Sequence, residues 1–296
     1  MTSNGHATSA HAASRGVDTV ALLGAGGKIG LRIATHLAAD ASFRLLAVDA
    51  SPEARLRLAA EGIEAVDQDK ALAEADLLVL AVPDRAMAAV VRETLPKLAP
   101  GTLLVQLDPA AAFAGVLPER SDIPLFVAHP CHPPLFEADH DPETRHDWYG
   151  GTAAQSVVCA LVRGTNEDYA RGARFAATVF QPVRRLHRIT LEQMALLEPG
   201  LVETTALGLL SAVRDALDHV VGLGVPEEAA RDFLLGHLRI ELAIVLGIAD
   251  IPISDGARLA MEDAKRTLLR PDWLQRAVSP DSVRDQVRAI VGVKDQ

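Results

Sequence analysis

The chain is poor in cysteine and lysine and has no long uncharged apolar run. Cys131 and Cys159 are its only thiols. Two cysteines cannot build a disulfide framework or a cysteine-rich zinc site, so a reducing cytoplasm is the expected setting. Lysine occurs only at Lys28, Lys70, Lys97, Lys265 and Lys294, which leaves few candidates for chemistry based on an ammonium group. Residues 1–16 are small and polar, lack the apolar segment of a signal peptide, and read as a disordered tail. The most membrane-like stretch, 233–253, carries His237, Arg239, Glu241 and Asp250, a load that a bilayer span does not tolerate. Acidic residues outnumber basic ones, 39 to 29, so neither a nucleic-acid surface nor an anionic-membrane surface is expected.

Hydrophobic residues make up 49% of the chain, which permits a sizeable core. From Val17 onward, short apolar runs alternate with amphipathic stretches. Strands are expected at 17–23, 44–48, 77–82, 102–107 and 125–128, with helices between them. Strands that are apolar on both faces and alternate with helices predict a parallel sheet covered on both sides. Segments 156–162, 166–179 and 183–187 repeat strand, helix, strand and extend that sheet. Beyond Ile189 the pattern is helical, at 190–198, 200–223, 226–248 and 255–269. The expected fold is α/β, with a Rossmann-type parallel sheet over 17–188 followed by an all-α domain over 189–296 for substrate binding and dimerisation.

The run VALLGAGGKIG follows a predicted strand and opens a predicted helix. Gly24, Gly26, Gly27 and Gly30 permit a tight turn, close approach to a pyrophosphate, and close packing of helix on strand. The expected cofactor segment is Gly24, Ala25, Gly26, Gly27, Lys28, Ile29 and Gly30. Asp49 ends the second strand, where a carboxylate accepts ribose hydroxyls and repels a 2′-phosphate, so NAD is favoured over NADP. Val82, Pro83 and Asp84, at the end of LLVLAVPD, belong on the nicotinamide side.

His129-Pro130-Cys131-His132-Pro133-Pro134 lies just past a strand's carboxyl end, where doubly wound folds place ligands. Two imidazoles three residues apart in a proline-stiffened loop could ligate a divalent metal, act as general base, or bind a carboxylate. The alternative is a rigid loop whose histidines only hydrogen-bond backbone. His140, His146, Asp139, Asp141 and Asp147 follow in a polar loop that reads as a solvated face.

In the helical half, Glu192 and Glu203 are eleven apart and share nearly one helical face. Glu198 lies off that face and precedes Pro199, which kinks or breaks a helix. A carboxylate at such a kink is a candidate metal ligand or acid/base, and each glutamate could also be an ordinary solvent-facing residue. His237 and Glu241 form an i, i+4 pair. They are read either as a buried hydrogen bond or as a group reaching substrate across a dimer interface. Asp255 is expected to cap the helix that follows it.

GAGGKIG, Asp49, LAVPD, AHPCHPPLF, EQMALLEP, the His237–Glu241 helix and SDGARLA together resemble the D-apionate oxidoisomerase family, a branch of the 6-phosphogluconate and 3-hydroxyacid dehydrogenase superfamily. The resemblance runs from about Val17 to Leu269, and the histidine–proline loop is also similar to that of prephenate dehydrogenases. It departs from the wider superfamily where 3-hydroxyacid dehydrogenases carry a catalytic lysine. This chain has Glu192, Gln193 and Glu198 there. The resemblance implies oxidation of D-apionate at C2 with NAD, then migration of a hydroxymethyl group in an α-ketol rearrangement to 3-oxoisoapionate. It implies catalytic roles for His129, His132 and Glu198, with His132 and Glu198 as candidate metal ligands and Glu192 and His237 toward substrate. The implied assembly is a homodimer acting on a small sugar acid. Two other readings stay open: a prephenate- or 3-hydroxyacid-type dehydrogenase without isomerisation, and an NAD-binding regulator without turnover.

Overall fold

The computed structural model describes residues 16–136, 144 and 146–292. All of the expected 1–16 tail but Gly16, and Lys294, Asp139, His140 and Asp141, lie outside the described residues. Strands β1 (Asp18–Leu23), β2 (Phe43–Val48), β3 (Leu77–Leu80), β4 (Leu103–Gln106), β5 (Leu125–Pro130), β6 (Gln155–Arg163) and β7 (Val183–Arg188) form one sheet in the order β2-β1-β3-β4-β5-β6-β7. Helices α1 (Lys28–Ala39) and α6 (Asn166–Val179) cover one face, where Ile33, Leu37 and Phe175 are buried. On the other face α3 (Gln68–Glu74) and α4 (Asp84–Thr94) bury Leu72, Met87 and Val91. Helix α2 (Pro52–Ala60) follows β2, and the short α5 (Ala110–Phe113) follows β4.

The sheet is parallel as expected, with one reversal. β5 and β6 pair antiparallel, with His129 opposite Val158, while β6 and β7 are again parallel. Among the described residues between β5 and β6 there is no α-helix to carry the chain across the sheet, so it returns in the opposite direction. Strand order reverses between β1 and β3. Such a switch point opens a crevice at the carboxyl ends of the strands.

The helical half departs from expectation at Pro199. α7 (Leu191–Ala195), a π-helical segment (Leu196–Leu207) and α8 (Gly208–Gly222) form one continuous helix. Proline lacks an N–H and its ring collides with the carbonyl four residues back, so an α-helix would kink there. The helix continues through Pro199 by widening to i→i+5 bonding, although the proline itself still donates no hydrogen bond. The remaining helices are α9 (Glu227–Val245), α10 (Asp255–Thr267), α11 (Trp273–Val278) and α12 (Pro280–Ile290). The Ser254 hydroxyl, rather than Asp255, caps α10 by accepting from the Ala257 amide at 3.2 Å. α12 was not expected from the sequence. It returns to the sheet half and buries Val283 and Val287 against Ala110 and Ala195.

Helices α8, α9 and α10 bury almost nothing within the chain: Ala230 is their only buried residue. Leu210, Phe233, Leu235, Ile240 and Val245 are exposed. By length and composition alone, the helix Leu191–Gly222 could cross a membrane.

Candidate active site

The glycine loop closes over the switch-point crevice and tolerates no side chain at three positions. Gly24 has φ +78°, and an added Cβ there would meet the Ala81 carbonyl oxygen at 2.4 Å. A Cβ on Gly26 would meet the Ala54 oxygen at 2.3 Å, and one on Gly30 the Gly24 oxygen at 2.0 Å. Gly27 caps α1 without a side chain, so the first helical amides stay available to an anion. Gly24, Gly27, Asp49, Ser51, Val82 and Pro83 line a cavity of about 460 Å³. Asp49 accepts from the Gly26 amide at 2.9 Å and from the Ser51 amide at 3.0 Å, one bond to each oxygen. Each oxygen keeps a second lone pair for a ribose hydroxyl. Ala25 is buried, and Lys28 and Ile29 are exposed at the first turn of α1.

His129 sits at the end of β5, with Nδ1 2.8 Å from the Leu107 carbonyl oxygen and Nε2 3.3 Å from Glu198 Oε2. A carbonyl only accepts, so Nδ1 carries the hydrogen and a neutral ring presents a bare Nε2. That nitrogen and the carboxylate are both acceptors. A proton or a cation between them turns the contact into an attraction.

Around this pair the structure gathers more acid than the sequence reading did. Burial and then the Asp108 charge raise the Asp84 carboxyl above its ordinary range, with His129 opposing. Glu203 is raised by burial, then by Glu198, Asp108 and Asp84. Asp84, assigned to the cofactor in the sequence reading, therefore also belongs to the acidic group beside His129. Asp108 was missed, although it ends an apolar strand as Asp49 does. It also accepts from the Ala110 amide at 2.7 Å. The expected pairing of Glu192 with Glu203 is replaced by Glu198 with Glu203. Glu192 lies in the first turn of α7, where its own backbone amide and Thr190 hold its carboxyl below the ordinary range.

His132 does not meet Glu198 in an ion pair among the described residues; His129 does, because it lies in the strand whereas His132 lies in the turn beyond. His132 has φ 60°, a left-handed conformation uncommon outside glycine. Its ring is 6.4 Å from that of His129 and packs edge-on against Tyr149 at 5.7 Å. Burial, then the neighbouring His129, lower its pKa, which favours the neutral ring. Tyr149 was also missed. Lys28 Nζ lies 4.1 Å from its ring centre, and Arg32 donates to its carbonyl at 2.6 Å. These contacts tie the 146–151 turn to the start of α1.

His237 is exposed, not buried with Glu241. It donates to the Phe233 carbonyl at 2.7 Å and stacks on the Phe233 ring at 4.1 Å. With Glu241, Leu217, Val220 and Phe233 it lines an apolar cleft of about 550 Å³ between α8 and α9. Among the described residues, no group of three or more histidine, cysteine, aspartate or glutamate side chains is arranged to hold a metal ion.

Residues 137–291 match the phosphogluconate dehydrogenase (decarboxylating) C-terminal family, and residues 5–107 match the NAD-binding domain of D-isomer-specific 2-hydroxyacid dehydrogenases. D-apionate oxidoisomerase of Cupriavidus necator is 42% identical over 92% of this chain and 99% of its own. The enzyme of that name from Rhizobium rhizogenes is 42% identical over 92% of this chain and 98% of its own. A crystal structure described as a semialdehyde dehydrogenase NAD-binding protein from Cupriavidus necator, in complex with calcium and NAD, superposes with a TM-score of 0.89 at 42% identity. It covers 92% of this chain and 99% of that one. An NADH-preferring ketol-acid reductoisomerase from an uncultured archaeon shares the fold, with a TM-score of 0.66 at 17% identity over 93% of this chain and 82% of its own.

Proposed function

The chain belongs to the D-apionate oxidoisomerase family, and from that premise we propose that it oxidises D-apionate at C2 and rearranges the product to 3-oxoisoapionate. NAD, when bound along the glycine loop and Asp49, takes the hydride from C2. The observation that carries the reading is the position of His129. With Nδ1 committed to Leu107, its Nε2 is an acceptor for the C2 hydroxyl proton. Glu198 at 3.3 Å stabilises the imidazolium that results. The 2-oxo acid then has a tertiary hydroxyl beside a carbonyl. Once His129 has released its first proton to solvent, it takes the proton of that hydroxyl, and the hydroxymethyl group moves with its electron pair from C3 to C2. C3 becomes the ketone, and the C2 alkoxide takes a proton back from the His129 imidazolium.

A divalent cation here would need ligands from substrate and water, since among the described residues no three such side chains are grouped to hold one. Glu198, Glu203, Asp84 and Asp108 are hard oxygen donors whose mutual repulsion a cation relieves, and the related Cupriavidus structure holds calcium. Glu198 would hold it, and it would polarise the C2 carbonyl for the migration. The exposed apolar faces of α8 and α9 suit a homodimer, since Arg214, Asp218, Arg239 and Glu241 on those helices are costly in lipid. The free thiols of Cys131 and Cys159 suit a cytoplasmic setting. The test is to mix purified protein with NAD and D-apionate and follow NADH and the organic product. NADH with 3-oxoisoapionate supports the reading, and no turnover overturns it.

A further inference from the structure

Glu198 and Glu203 are five residues apart, a spacing that separates side chains in an α-helix. With about 3.6 residues per turn, positions i and i+5 point roughly 140° apart. Both residues lie in the π-helical segment Leu196–Leu207, where bonding runs from i to i+5 and such positions fall about one turn apart on one face. The segment is anchored in this winding. The Thr205 hydroxyl donates at 2.8 Å to the carbonyl of Gly200, five residues back. Gly200 is pressed against α11 and α12, where an added Cβ would lie 3.0 Å from both Val278 Cγ1 and Val283 Cγ2.

Glu203 therefore joins Glu198, Asp108, Asp84 and His129 in one electrostatic neighbourhood. Its neighbours desolvate it only in part, so the side chain stays open to solvent, and no donor among the described residues occupies its carboxylate. An acceptor-only group held open beside a hydride-transfer site suits a ligand rich in hydroxyl donors. We propose that Glu203 is a substrate-binding residue, set beside Glu198 by the π-helical turn, which accepts hydrogen bonds from the hydroxymethyl groups of the branched acid. This rests on the D-apionate reading and adds to it a residue that recognises the branch.

The test compares wild type, Glu203→Ala and Glu203→Gln. Steady-state kinetics with D-apionate are read beside NAD affinity measured by fluorescence titration, which reports that the cofactor half is intact. Glu203→Ala is expected to lower kcat/KM roughly 10- to 100-fold, the loss of a hydrogen bond to a charged group, with NAD affinity unchanged. Glu203→Gln keeps an acceptor oxygen and recovers part of that loss. Glu203→Ala within threefold of wild type, or Glu203→Gln as impaired as Glu203→Ala, overturns the inference. Wild-type protein that does not oxidise D-apionate fails the parent reading instead and takes this one with it.

Discussion

His129 offers a bare Nε2 to Glu198 at 3.3 Å because its other nitrogen is held by the Leu107 carbonyl at 2.8 Å. The strand sets the ring's orientation, and the long helix brings the carboxylate to it. His129→Asn removes the proton acceptor and is expected to lower kcat about 10²- to 10⁴-fold while NAD still binds. Glu198→Gln keeps the shape and removes the charge. If the two act as a unit, the double variant loses no more than His129→Asn alone, which a double-mutant cycle of kcat measures.

Gly26→Ala places a methyl where the Ala54 carbonyl oxygen stands, 2.3 Å away. Either the loop or α2 must shift, and the Gly26 amide then loses Asp49. The expected result is a loss of NAD affinity of tenfold or more, on the order of 1.4 kcal/mol, seen by calorimetric titration. Asp49→Asn tests cofactor choice, since it keeps a side-chain oxygen for the loop but removes the charge that repels a 2′-phosphate. The ratio of kcat/KM for NADP to that for NAD should rise.

These cofactor features were legible because they are local. Glycine spacing, the strand before it and the acid ending the next strand lie within Val17–Asp49, and burial of the strands follows from their composition. The acid around His129 was legible only in part. Asp108 obeys the same strand-end logic as Asp49, but stands alone in the sequence with no motif around it. Which histidine meets Glu198 depends on where β5 ends. The face shared by Glu198 and Glu203 depends on hydrogen-bond pitch, which residue periodicity assumes and does not reveal. α12 was missed because only Val283 and Val287 mark its buried side, against Ala110 and Ala195, which are distant in sequence.

Asp84 supplies a pH test of stability. Its carboxyl is raised in the folded state by burial and by Asp108, so the folded protein holds that proton more tightly than the unfolded chain. Stability therefore falls as pH rises from the ordinary aspartate range through the raised value, and the penalty stays in place above it. Asp84→Asn removes the ionisation. Its Tm should exceed that of wild type at neutral pH by no more than about 2 °C, and the difference should vanish below the ordinary aspartate range. Thermal melts across pH measure both limbs.

Phe233 is 70% exposed on α9 beside the apolar cleft. If a second copy covers that face, Phe233→Asp should convert a dimer to a monomer in sedimentation velocity. If the chain sediments as a monomer already, the dimer proposal fails.

A bound cation would show itself through the second half of the reaction. EDTA should suppress the rearrangement and restored magnesium or calcium should recover it, followed by NMR of the products. Rearrangement at full rate in EDTA would remove the cation from the account.

The central claim is that oxidation is joined to migration of a hydroxymethyl group. D-apionate carrying 13C at C3, incubated with the protein and NAD, tests it in one spectrum. Migration moves the label from a tertiary alcohol to a ketone as NADH forms. A labelled carbon that remains a tertiary alcohol while NADH accumulates would contradict the account and leave a simple dehydrogenase.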